Sequence, residues 1–172
     1  MDCKGTRNAT HLIVLLTLSL VVLTGCASGP APVPRLQTSA QGYSADFDRA
    51  WNAVNDVLTE KRLPIKAIEK DSGLVTTEFV SSGGRYIYWG KKNDAGQEMS
   101  TWAEKTRYFL NIRVRQREGG GATVDVLPHF EYMRYEYNAV LKRSVEAGWE
   151  ACESHGDVER SFYDALSAKL GQ

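Results

Sequence analysis

Residues 107–116 read RYFLNIRVRQ, and residues 122–132 read ATVDVLPHFEY. In the first stretch Tyr108, Leu110, Ile112 and Val114 fall on one side, and Phe109, Asn111, Arg113 and Arg115 on the other. In the second, Val124, Val126, Phe130 and Tyr132 share a side. A period of two is the signature of a half-buried strand. Gly119-Gly120-Gly121 between the stretches supplies turn chemistry, so the pair reads as an antiparallel hairpin. A three-residue turn at those glycines sets Arg115 opposite Asp125 and Phe109 opposite Glu131. One face of the hairpin is then apolar and needs helices to cover it.

Two flanking segments have that character. Residues 44–63 place Phe47, Trp51, Val54 and Leu58 on one stripe. Ser44 is the expected N-cap, Asp46 and Asp48 suit the positive end of the dipole, and Pro64 stops the helix. The C-terminal stretch begins at Ser154 or Gly156 and repeats Val158, Phe162, Leu166 and Leu170. Between helix and hairpin, residues 65–70 and 74–80 read as strands about an Asp71-Ser72-Gly73 turn. Residues 81–84 break the pattern. Residues 85–89 fit either a strand extension or a long loop, and 91–99 a polar turn. Residues 138–152 tolerate a helix, but Gly148 and uneven apolar spacing leave them open. The expected fold is α+β: one antiparallel sheet packed against an N-terminal and a C-terminal helix, helix-grip-like, as a single domain over 43–172, with a possible extra strand near Tyr43.

A resemblance accompanies this reading. Residues 44–51 (SADFDRAW), 63–65 (LPI) and 71–78 (DSGLVTTE) resemble the repeated domain of BamC-like outer-membrane lipoproteins, accessories of β-barrel assembly. The likeness spans 44–80, and more loosely the C-terminal helix. It implies a non-catalytic role in assembly or maintenance of the cell envelope.

The N-terminus carries a matching address. Lys4 and Arg7 precede LIVLLTLSLVVL at 12–23, a run of 12 residues without charge. At about 1.5 Å per residue it is too short for a bilayer core of roughly 30 Å, and it fits a secretory signal. Leu23-Thr24-Gly25-Cys26 follows and resembles the bacterial lipoprotein signal. The resemblance implies a signal peptide over 1–25, cleavage before Cys26, and diacylglyceryl and acyl (palmitate-type) chains on that cysteine. Buried methylenes contribute about 0.8 kcal/mol each, so several chains hold the protein at the membrane. Ala27 in place of Asp implies the outer membrane, with the domain facing the periplasm. Residues 26–42 hold Pro30, Pro32 and Pro34 and read as an extended tether.

Composition narrows the remaining classes. The 172 residues carry 21 basic and 21 acidic side chains, which argues against a dedicated nucleic-acid binder. Cys3 leaves with the signal and Cys26 is the anchor, so Cys152 stands alone. His155 lies three residues on, a weak hint of a thiol nucleophile. With only His129, His155 and Cys152 in the mature chain, no zinc-ligand spacing arises. The phosphate loop and the nucleophile elbow are also missing. No cofactor and no metal are expected. The sheet arginines, Arg107, Arg113, Arg115 and Arg117, read as a solvated face. The candidate contact residues are Tyr86, Tyr88, Trp89 and Trp102, which bracket the polar stretch, because Tyr and Trp combine contact area with a polar handle. The expected function is a lipid-anchored binding or scaffold module that contacts an envelope protein. A helix-grip carrier of a hydrophobic ligand and a Cys152-dependent enzyme are the alternatives.

Overall fold

The computed structural model describes residues 39–92, 94, 96 and 98–171, without the side chains of 89–92 and 98. Residues 1–38, which hold the expected signal peptide, Cys26 and most of the expected tether, fall outside the described residues. In chain order the elements are β1 (Gln41–Tyr43), α1 (Phe47–Glu60), β2 (Ile65–Glu69), β3 (Leu74–Thr77), β4 (Val80–Lys92), β5 (Glu98–Gln116), β6 (Ala122–Asn138), β7 (Arg143–Cys152) and α2 (Asp157–Leu170). Seven strands form one antiparallel sheet, and the two helices cover one face of it, an α+β arrangement.

Both helices form for the reasons their sequence gives. In α1, Trp51, Val54 and Leu58 are buried together with Ala50, Ala53 and Val57. The cap differs from the expectation. Asp46 starts the helix, its Oδ1 accepting the Arg49 N–H at 2.8 Å, while Ala45 just before it is already in the core. Phe162, Leu166 and Leu170 of α2 meet this stripe over Leu110, Ile112, Val114, Val124 and Val126. The even face of the β5–β6 hairpin is therefore the core face.

The register of that hairpin differs from the expectation by two residues. Arg113, not Arg115, lies opposite Asp125, and Arg107, not Phe109, lies opposite Glu131. The turn is centred one residue earlier, with the Arg117 N–H donating to Gly121 O at 3.0 Å. Gly121 ends the turn just ahead of β6, and a Cβ there would lie 2.3 Å from the Tyr43 carbonyl oxygen. At φ +82° it is the glycine of the three that closely approaches neighbouring backbone. Since the slip is even, the faces stay as read.

Beyond Thr106 and Tyr132 the two central strands part company. The distal part of β5 continues with β4 alone, and the distal part of β6 with β7 alone. The arms meet again where Tyr88 O accepts the Glu153 N–H at 2.8 Å. Ile87, Ala103 and Phe130 are buried in this region, separate from the main helix–sheet core. Residues 85–89 are thus strand, and the ambiguous 138–152 segment is largely strand too. Its uneven spacing has a cause: between the Arg134–Gly148 and Tyr135–Glu146 pairs, β7 holds one extra residue. Gly148, at φ +133°, makes this bulge possible and flips the alternation.

Two gaps in the sheet edges are closed by side-chain oxygens. Where β3 has ended and β4 not begun, Thr77 Oγ1 accepts the Leu110 N–H at 2.9 Å. Along β6, β1 pairs only as far as Val124 and β7 begins at Phe130. In that gap the Tyr163 hydroxyl accepts the Val126 N–H at 3.0 Å, and Pro128 has no N–H to satisfy.

Candidate binding surface

The helices leave the odd-numbered face of β5 and β6 open to solvent. Three strands and the link between β3 and β4 contribute to one cluster there. Phe79, just before β4, meets Phe109 of β5 edge to face at 4.9 Å between ring centres. Phe109 in turn lies 4.9 Å from the His129 ring on β6. Arg107 sits at the centre. Its guanidinium carbon is 4.3 Å from the Phe79 ring centre and 4.2 Å from that of Trp149 on β7. Both rings are exposed to solvent, as is the neighbouring Leu127.

The clamp is fixed electrostatically from below. Arg107 Nε donates to Glu131 Oε2 at 2.7 Å, and Nη2 lies 2.6 Å from the same oxygen. His129 Nε2 is 3.3 Å from the other carboxylate oxygen. Glu131 is the more buried partner, so its charge neutralises the guanidinium while the flat faces of Arg107 remain for the aromatics. A cation against an aromatic ring contributes about 0.5–1 kcal/mol at exposed sites and more when desolvated. The result is a preorganised, largely aromatic surface in which Phe79, Arg107 and Trp149 form a row across the sheet. Such residues carry much of the energy of protein contacts.

The sequence-predicted contact residues are divided by the structure. Tyr86 and Trp102 pair across β4 and β5, with ring centres 5.4 Å apart in a T-shape. Trp102 lies over Gly84, where a Cβ would come within 2.8 Å of the ring, and it is 56% exposed. Tyr88 is only 3% exposed, with its ring 5.8 Å from that of His155, and is packed inward. The Trp89 side chain and Cys26 lie outside the described residues. The cluster around Arg107 was not among the predicted residues. Its signal was present, since Phe109 and His129 stand on an otherwise polar strand face, but the displaced register paired Glu131 with the wrong neighbour.

Cys152 is half-buried opposite Phe130, and burial pushes its thiol up to about 11, which suppresses the thiolate a nucleophile needs. Among the described residues no three His, Cys, Asp or Glu side chains come together to hold a metal. At the edge of the helix–sheet interface a cleft of ≈190 Å³ is lined by Leu63, Tyr108, Leu110 and Phe162 among others. Ligand pockets usually measure about 300–1,000 Å³. Two larger depressions, ≈590 and ≈560 Å³, are open to solvent and lined partly by charged groups such as Lys70, Arg115, Asp48 and Arg49. No helix among the described residues is long and apolar enough to cross a membrane. Neither a protein-family model nor a curated protein matches the chain.

Proposed function

We propose that this chain is an outer-membrane lipoprotein, anchored through Cys26, whose periplasm-facing domain is a non-catalytic binding or scaffold module in envelope assembly or maintenance. The observation that carries the reading is the Arg107 clamp between Phe79 and Trp149, a preorganised contact surface on the sheet face that the helices leave open. The resemblance to BamC-like domains and to the lipoprotein signal supports the same reading, as does a helix-grip-like arrangement with its helices on the opposite face. A lipid anchor confines the domain to a surface and raises the local concentration of a membrane-bound partner, so a modest contact suffices. Trp102 with Tyr86 extends the candidate surface along the β4–β5 arm. The carrier alternative is disfavoured by the small cleft, and the Cys152 enzyme by its poorly ionised thiol.

The test is genetic and biochemical together. In a strain lacking the chain, wild type and Ile65→Ala restore the envelope permeability barrier, while Arg107→Ala and Trp149→Ala at equal abundance do not. Labelled palmitate enters wild type and not Cys26→Ala. Full complementation by the Arg107 and Trp149 variants refutes the contact surface, and an unlabelled wild type refutes the anchor.

A further inference from the structure

The β6–β7 hairpin ends in a tip that uses no part of the Arg107 surface. Val140 is 90% exposed and Tyr137 69%, and Leu141 is exposed beside them. Soluble turns seldom present two consecutive large aliphatic residues to water. This turn is also held in one shape: Asn138 Oδ1 accepts the N–H groups of both Val140 and Leu141, at 3.0 and 2.9 Å. Lys142, at φ 50°, completes the reversal. Lys142 and Arg143 follow the aliphatic pair, and neither forms an ion pair with a described residue. Within 137–143 there is no acidic residue.

We propose that this tip, Tyr137 with Val140, Leu141, Lys142 and Arg143, is a membrane contact that seats in the headgroup region of an anionic bilayer. The chemistry is layered as an interface requires. The aliphatic pair projects furthest, a tyrosine suited to the headgroup level stands behind it, and two free cations face anionic phosphates. A protein interface normally needs about 800 Å² on each partner, whereas the tip is a narrow convex point. A point of that shape fits a fluid surface that closes around it.

The tip proposal does not depend on the lipid proposed at Cys26.

The test uses the full protein purified from membranes, with an environment-sensitive fluorescent amino acid at position 140. In vesicles of phosphatidylglycerol and phosphatidylethanolamine, the probe is expected to be quenched by headgroup nitroxide lipids and protected from aqueous iodide. Lys142→Glu with Arg143→Glu lowers the seated-to-free ratio on the order of tenfold. A probe at position 65 stays iodide-accessible throughout. Iodide access at position 140 without nitroxide quenching overturns the proposal. So does protection that follows protein density and not lipid charge, which would mark a second copy or another protein as the occupant. Failure of the anchor reads separately, as wild type that does not float with pure phosphatidylcholine vesicles, where the cations gain nothing.

Discussion

Arg107 and Trp149 touch across an intervening strand: the guanidinium carbon of one is 4.2 Å from the ring centre of the other, although β6 runs between β5 and β7. The contact works because Glu131, on that middle strand, neutralises the arginine from beneath. The cluster is thus one unit built over three neighbouring strands and closed by Phe79 from a fourth position.

A coupled unit has a measurable signature. In a double-mutant cycle, Arg107→Ala and Trp149→Ala should couple by about 0.5–1 kcal/mol in urea unfolding. Arg107→Lys should recover the ion pair with Glu131 but not the coupling to Trp149, since an ammonium has no flat faces to stack. Simple additivity would mean the two side chains are independent.

Tyr163 fastens α2 to the sheet by one polar atom. Tyr163→Phe leaves the buried Val126 N–H without its acceptor and should lower stability by about 1–3 kcal/mol. Thr77→Val should do the same for the Leu110 N–H. Hydrogen exchange at Val126 and Leu110 checks each site directly: the affected amide should exchange faster in its own variant and not in the other.

The glycines separate into two classes. A Cβ at Gly73 would lie 2.0 Å from Val114 O, and at Gly121 2.3 Å from Tyr43 O, both against backbone. Gly119 has equally positive φ but open space around it. Gly119→Ala should therefore carry only the backbone strain, about 1 kcal/mol, whereas Gly73→Ala and Gly121→Ala should shift the melting temperature several times further or prevent folding.

Cys152 should be slow to react. Holding its thiol at about 11 in place of 9.0 leaves on the order of a hundredth of the usual thiolate at neutral pH. Alkylation by iodoacetamide should be slow at pH 7 and accelerate steadily to pH 10. Because the folded value is raised, the associated stability is complete below about pH 9 and is lost as pH climbs toward 11. Tyr163, pushed up to about 12 by burial, adds a second loss that begins near pH 10. Thermal melts across pH 7–11 should be flat first and then fall.

Much of this architecture was legible in the residues. The alternation of Tyr108, Leu110, Ile112 and Val114 fixed the buried face, and the stripe of Trp51, Val54 and Leu58 identified its cover. Strand β7 escaped because the bulge at Gly148 inverts its period midway. The register escaped because three consecutive glycines do not reveal which one faces the Tyr43 carbonyl. That single ambiguity hid the Arg107–Glu131 pair, and with it the cluster, since its members come from segments far apart in sequence. The expected contact residues flank a polar turn instead, and Tyr88 among them is packed inward.

The central claim, that the exposed face around Arg107 is the working surface, is tested most directly by photo-crosslinking in intact cells. A photoreactive amino acid at Leu127, beside the cluster, should yield one discrete adduct with an envelope protein. That adduct should disappear in Arg107→Ala and persist in Tyr163→Phe, which weakens the fold without touching the surface. An adduct that survives Arg107→Ala and Trp149→Ala unchanged, or none at all from position 127, would contradict the account.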